Sequence, residues 1–380
     1  MGFALLGIAI WIGLLLFRGG FWLTDVRLAA DQTELDHWPS VCAIVPARDE
    51  ASVLSETLPS LLTQHYPGDF RVVLIDDRSE DGTADLARAL AEEYGATQRL
   101  QVLSGSPLPA GWSGKLWAME QGIQYAKQYQ PDFWLLTDAD ICHDSENLRY
   151  LVVKAQTEHL DLVSLMVRLR CRSFWEHALI PAFVFFFMKL YPFKWVNDPS
   201  NPTAAAAGGC ILVGREILER AGGIDAIRNT LIDDCTLAAA VKKQGGQLWL
   251  GLGETTRSLR SYPDLEEIWR MVARTAFCQL DYSPWLLAGT LFGMTLLYLT
   301  PPIAATWGAL IGNTALMFAG LIGWGLMALA YLPTVLFYGR SPLWSLALPG
   351  IGALYTAMTV DSALRYWRGE GGAWKGRVYP

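Results

Sequence analysis

Two aspartates one residue apart, Asp138 and Asp140 in the tetrapeptide TDAD, directly follow the apolar run FWLL. Carboxylates at that spacing on a strand end can share a hard divalent ion such as Mg or Mn, whose remaining coordination sites fall to phosphate oxygens and water. Such an ion offsets charge on a leaving phosphate. Asp-x-Asp is also common in solvated loops, so the preceding strand carries much of the weight. A second pair, Asp76-Asp77 in IDDRSEDGT, ends another buried-looking run and precedes a Gly-containing turn into a helix. Asp81 or Thr83 can cap that helix. Asp76 and Asp77 stand before the turn, where they can accept hydrogen bonds from a nucleobase. A third pair, Asp233-Asp234 in IDDCTLAAAVKKQG, opens an amphipathic helical pattern. Acids at a helix start are also explained by capping and by the helix dipole.

These residues need a scaffold that presents strand ends together. Between about residues 40 and 283, β-rich runs (VCAIVP, RVVLID, FWLLTD, DLVSLMV) alternate with helical stretches such as SVLSETLPSLLTQ and TADLARALAEEY. That alternation predicts an α/β domain with a doubly wound, mainly parallel sheet. Ligands of such sheets bind beyond the carboxyl ends of the strands, where the acidic clusters lie.

Of the 380 residues 52% are hydrophobic, above the roughly 45 to 50% of ordinary soluble domains, so part of the chain is expected in lipid. A net charge of −7 provides no basic field for phosphate backbones and argues against nucleic-acid binding. Six scattered cysteines without a C-x-x-C pair read as reduced, buried thiols of a cytosolic compartment.

Residues 2–17 form an uncharged apolar run followed by Arg18, and residues 1–20 are expected to anchor the chain, with Arg18 and Arg27 on the cytosolic side. The aromatic-rich stretch 174–195, flanked by Arg168, Arg170 and Arg172, reads as interfacial. Residues 284–361 contain apolar stretches near 286–307, 313–338 and 343–360. Three full crossings would leave Arg365, Arg368, Lys375 and Arg377 outside, against the positive-inside bias. The last stretch, with Pro349-Gly350 in its middle, is therefore read as a re-entrant hairpin, and 362–380 as a cytosolic tail. These features describe a multi-pass protein of the inner membrane whose catalytic domain faces the cytosol.

VPARDE (45–50), IDDRSEDGT, GWSGKLWA, TDAD and IDDCTLA occur here in the order seen in family 2 glycosyltransferases, which the chain resembles over about residues 40–280. The likeness is nearest to hopanoid-biosynthesis-associated membrane glycosyltransferases, whose tail WKGRVY is similar too, and more distant to ceramide glucosyltransferases. It implies the GT-A fold and a donor pocket for a nucleotide sugar, UDP-linked, lined by Pro46, Ala47, Arg48, Glu50, Asp76 and Asp77. It further implies a Mg or Mn ion on Asp138 and Asp140, with Lys115 near the donor phosphates and Asp138 also on the donor side. Gly208-Gly209 match an acceptor-side loop where the backbone approaches the sugar. In the acidic pair Asp233-Asp234 the second member corresponds to the catalytic base, which takes the acceptor hydroxyl's proton during an inverting attack.

One motif departs from the relatives. Where they carry Q-x-x-R-W, this chain has Met271-Val-Ala-Arg274-Thr275, with Arg270 and Arg274 four apart on a predicted helix, placed to meet diphosphate or lipid headgroups. The missing Gln and Trp favour single-sugar transfer to a lipid over a processive polysaccharide synthase. A catalytically silent scaffold would have no physical reason to keep clustered, mutually repelling carboxylates.

Overall fold

Strands form where apolar and β-branched residues run on without interruption, because a strand covered on both faces has no polar side to alternate. The computed structural model describes residues 1–370 and the backbone of 373–374 and 377–378. Eight strands, β1 Val41–Ala47, β2 Phe70–Asp76, β3 Leu100–Ser104, β4 Phe133–Thr137, β5 Ile141–Cys142, β6 Leu162–Arg168, β7 Cys210–Gly214 and β8 Leu248–Ser258, make one sheet. Its order is β3-β2-β1-β4-β7-β6-β8-β5. The chain winds outward from β1 through β2 to β3, then returns to place β4 on the other side of β1. The crevice between β1 and β4 is thus the switch point at which open α/β sheets bind ligands.

The sheet is less parallel than the sequence suggests. Strands β1 to β4 are parallel, whereas β7 runs antiparallel to both β4 and β6. The reason lies in the connection after β6. There the chain runs into the helix Phe174–Leu190 at the carboxyl edge and re-enters the sheet from that same edge instead of crossing over. This reversal pairs Cys210 with Thr137, and so sets Gly208-Gly209 beside the TDAD turn. Helix Gly114–Ala126 packs on one face of the sheet and Ala51–Leu62, Thr83–Glu93 and Asn147–Thr157 on the other. All six cysteines are free thiols, with Cys42, Cys210 and Cys235 buried and the other three partly exposed.

Among the described residues four helical stretches are long and apolar enough to cross a bilayer: Phe174–Val196, Pro284–Leu310, Thr314–Phe337 and Pro342–Trp367. The N-terminal helix Gly2–Phe17 is shorter, about 24 Å at ~1.5 Å per residue against the ~30 Å hydrocarbon core. It packs beside the others all the same. Pro301 has no N–H to give Leu297, and the carbonyl so released accepts a 3.0 Å bond from Trp11 Nε1. The same prolines follow a π-helical turn at Thr295–Leu299. Gly320 lets Thr314–Phe337 approach closely, since a Cβ there would meet the backbone nitrogen of Ala305 at 2.2 Å.

The stretch read as interfacial begins and ends in the α/β domain. Ser173, its N-cap, bonds to the Tyr262 carbonyl, and Phe193 and Val196 join the main core at the far end. Its other side packs on Trp11, Tyr298, Tyr331 and Tyr355 of the apolar helices.

Pro349-Gly350 interrupt no helix. They sit in the first turn of Leu348–Trp367, where a proline's missing N–H is tolerated, after the 3₁₀ segment Pro342–Ala347. Both ends of this unit meet the catalytic domain or its linker: Arg340 Nη1 is 2.8 Å from His177 Nε2, and Asp361 accepts a 2.7 Å bond from Trp269. In between it reaches Leu346, whose carbonyl bonds Trp324 inside the apolar helix. In the tail, Lys375 lies outside the described residues, as does the side chain of Arg377.

Candidate active site

The carboxyl ends of β1 and β4, the loop before β7, the start of helix Asp233–Lys243 and the end of β8 surround a cavity of about 510 Å³. Asp138 follows β4 and Lys115 sits in the first turn of Gly114–Ala126, whose N-cap Ser113 accepts from Leu116. The Lys115 ammonium lies 2.9 Å from Asp138 Oδ1 and 3.2 Å from Asp233 Oδ2. One lysine therefore joins the TDAD motif to the acidic pair. Burial alone would lower its pKa, but Asp138 and Asp233 together outweigh that and raise it.

Asp234 is held by two backbone amides. Its Oδ2 accepts a 2.8 Å bond from the Gly208 amide and its Oδ1 a 2.7 Å bond from Cys235 N. Desolvation, reinforced by the neighbouring Asp233 charge, raises its pKa to about 6 against the pull of Lys115 and the two amides. Gly208 is required by crowding: a Cβ there would stand 3.3 Å from both Asp234 Oδ2 and Lys115 Nζ.

Asp138 is likewise raised, by burial first and by the nearby Asp140 charge, although Lys115 opposes both. Asp140 is fixed by Ser258, whose hydroxyl donates to Oδ2 at 2.6 Å, and by Leu259 N on its carbonyl. Six carboxylates, of Glu50, Asp138, Asp140, Asp233, Asp234 and Glu267, line the cavity with four cations, Lys115, Arg260, Arg270 and Arg274; a divalent cation would balance the excess negative charge, and hard carboxylate oxygens suit Mg or Mn. Among the described residues no three His, Cys, Asp or Glu side chains converge as a metal cage. Asp138 and Asp140 would supply two oxygens, as is usual for a cation that also binds phosphates.

Pro46, Glu50, Lys115, Asp138, Asp140, Gly208, Gly209, Asp233, Asp234, Arg270 and Arg274 all line this one cavity. Ala47, Arg48, Asp76 and Asp77 do not; they form the adjoining ends of β1 and β2. Asp77 is only 1% exposed, and its carboxylate lies 3.6 Å from the guanidinium of Arg48. Sequence reasoning missed Ser113, Ser258, Arg260 and Tyr262, which line the same cavity. The signal was the segment SLRSYPDL between a strand and an amphipathic helix, polar enough for a site but without a recognisable spacing.

The lining also includes apolar side chains. Phe183 and Phe187 of helix Phe174–Leu190, with Met166, Leu169 and Met271, supply them.

This fold is of the GT-A type. Residues 39–277 match the family described as glycosyltransferase like family 2, and the chain belongs to it. Over 126 residues it is 32% identical to a β-monoglucosyldiacylglycerol synthase of Trichormus variabilis, a match covering 33% of this chain and 25% of that one. Over 152 residues it is 28% identical to the probable glycosyltransferase YdaM of Bacillus subtilis, covering 38% of this chain and 34% of the relative. The chain thus spans only about a quarter to a third of the length of these relatives. Among solved structures, the mannosyltransferase PcManGT of Pyrobaculum calidifontis in complex with GDP-Man and Mn2+ has the same fold, with a TM-score of 0.55 and 21% identity, covering 96% of this chain and 98% of that one.

Proposed function

We propose that the protein transfers one sugar, with inversion, from a nucleotide donor to a lipid acceptor at the cytoplasmic face of the inner membrane. The observation that carries this reading is the single cavity lined both by Lys115, Asp138, Asp233 and Asp234 and by Phe183 and Phe187. The charged side chains suit a diphosphate with its cation; the apolar ones suit a lipid chain. The relative that acts in β-monoglucosyldiacylglycerol synthesis supports a lipid acceptor, and the neighbour crystallised with GDP-Man and Mn2+ supports a divalent ion.

In this reading Lys115 and the arginines Arg260, Arg270 and Arg274 hold the donor phosphates. A bound Mg or Mn on Asp138 and Asp140 supplies further charge neutralisation for the departing nucleotide. Asp234, poised near neutrality, takes the proton from the acceptor hydroxyl as its oxygen attacks the anomeric carbon. Gly208 holds the Asp234 carboxylate in place through its amide. Pro46, Ala47, Arg48, Glu50, Asp76 and Asp77 bound the nucleoside end, where Asp77 acts through Arg48. The donor is read as UDP-linked and the acceptor as a membrane amphiphile, of the hopanoid class on the resemblance of the motifs. The departure at Met271 to Thr275 favours a single transfer over polymerisation.

The full chain in lipid nanodiscs, supplied with UDP- or GDP-linked sugars and a bacterial lipid extract, tests this reading. A lipid carrying one added sugar of inverted anomeric configuration is expected from the UDP donor. Donor breakdown without a lipid product would overturn the acceptor assignment, and a polysaccharide product would favour the synthase reading.

A further inference from the structure

A second cavity of about 510 Å³ lies between the catalytic domain and the apolar helices, lined by Arg168, Arg170, Arg172, Arg257, Arg340 and Tyr338 among others. None of these residues has a role in the transfer reaction proposed above. Arg170 is paired with the buried Glu176 at 3.2 Å and Arg257 with Glu56 at 2.8 Å. Among the described residues no carboxylate lies within 4.0 Å of the guanidinium groups of Arg168, Arg172 or Arg340, although the Arg172 backbone N–H donates to Glu176 Oε2 at 2.7 Å. Arg340 instead faces the ring nitrogen of His177 at 2.8 Å, and Arg168 lies over the rings of Phe337 and Tyr338 at 5.7 and 5.8 Å. Several guanidinium groups converging on one space repel one another unless an anion is held there, and their planar forks match phosphate oxygens.

The position specifies the source of that phosphate. Arg340 follows almost directly on Phe337, the last residue of the 24-residue apolar helix Thr314–Phe337. Beside it, Leu336, Leu343 and Phe174 are 52%, 73% and 64% exposed. A charged pocket bordered by exposed apolar side chains at the end of a membrane-length helix has room for a headgroup and for acyl chains, which a free ion does not need.

We propose that this cavity binds the headgroup phosphate of an anionic membrane lipid that is held there and not glycosylated. Ser258 lines both cavities and donates to Asp140, so the bound lipid adjoins the wall of the active site. The inference rests on the membrane seating proposed above but not on the reaction.

The test is native mass spectrometry of the detergent-solubilised full chain, without nucleotide sugar, titrated with phosphatidylglycerol or phosphatidylcholine. Phosphatidylglycerol is expected to bind about tenfold more tightly than phosphatidylcholine, and millimolar inorganic phosphate is expected not to displace it. The pair Arg168→Gln/Arg172→Gln should remove the preference. Arg172→Gln alone, at an exposed side chain, should weaken it while leaving folding intact. The pair Arg71→Gln/Arg88→Gln, removing the same charge from a remote surface, should leave it unchanged. Equal retention of the two lipids, an equal loss in the remote pair, or retention of inorganic phosphate in place of lipid would overturn the assignment. Flotation of the unmodified chain with liposomes reports on the membrane seating separately.

Discussion

Lys115 Nζ lies 2.9 Å from Asp138 Oδ1, on the carboxylate that a divalent cation would also use. Lysine and metal would therefore share one carboxylate, while both would favour the donor diphosphate. Lys115→Met is expected to tighten metal binding and yet lower kcat/KM by ~100-fold, since the phosphates lose a fixed charge. Titration with Mn2+ alone, followed by steady-state kinetics, separates the effects; unchanged kinetics would place Lys115 outside the donor site.

Asp138→Asn and Asp140→Asn keep side-chain shape and remove charge. Each is expected to abolish transfer and metal-dependent donor binding while leaving the melting temperature within a few degrees. EDTA should silence the unmodified enzyme in the same way, with recovery on adding Mg or Mn. Calorimetry of donor binding with and without metal checks this, and normal turnover in either variant would remove the metal assignment.

Asp234 has its pKa raised to about 6 by burial and by Asp233. A general base works only when ionised, so activity should fall as pH drops through about 6 and reach a plateau above it. Asp234→Asn should cost ~100-fold or more in kcat with little change in donor affinity, and the acid limb should vanish. A pH profile that keeps this limb in the variant would assign it to another group. Asp233→Asn, which weakens the Lys115 link without removing the base, should be milder.

Gly208→Ala would set a methyl 3.3 Å from both Asp234 Oδ2 and Lys115 Nζ. The two side chains must shift by a few tenths of an ångström. Loss of about tenfold in kcat is expected at unchanged thermal stability, because misplacement at a reacting centre costs rate before it costs fold. An alanine variant with unmodified kinetics would show that Asp234 and Lys115 accommodate the methyl without losing their alignment.

Much of this site was legible because each acidic pair follows an apolar run or opens a helix, and strand ends are where an α/β sheet collects its ligands. Asp138 and Asp234 are about a hundred residues apart in sequence, and only the antiparallel entry of β7 brings Gly208 to both. No local periodicity encodes that entry, since it depends on a connection through helix Phe174–Leu190. Ser258 and Arg260 escaped notice for a related reason. They stand at the end of a long strand whose pairing shifts register between Met166 and Arg168, and nothing near them in sequence marks the side to which they turn. Asp77 illustrates the opposite case: its position was evident, but its burial under Arg48 depends on two strands lying side by side.

The unit Pro342–Trp367 begins and ends beside the catalytic domain. Arg340 meets His177 at one end; at the other, Asp361 meets Trp269 and Ser362 Oγ accepts from Phe277 N at 3.0 Å. Helices Pro284–Leu310 and Thr314–Phe337 are joined by a short turn at the opposite end, where Asn313 caps the second. If the catalytic domain faces the cytosol, the first of these helices goes out, the second returns, and Pro342–Trp367 enters and leaves on one side, with Arg365 and Arg368 inside as the positive-inside bias favours. Cysteines introduced singly at Ile311 and Glu370, in a background lacking the native six, are to be probed in intact cells with a membrane-impermeant thiol reagent. Ile311→Cys should be labelled from outside, and Glu370→Cys only after permeabilisation. Labelling of Glu370→Cys in intact cells would mean a third full crossing and would rule out the re-entrant arrangement, whereas protection of both positions would mean that the helical pair does not traverse the bilayer.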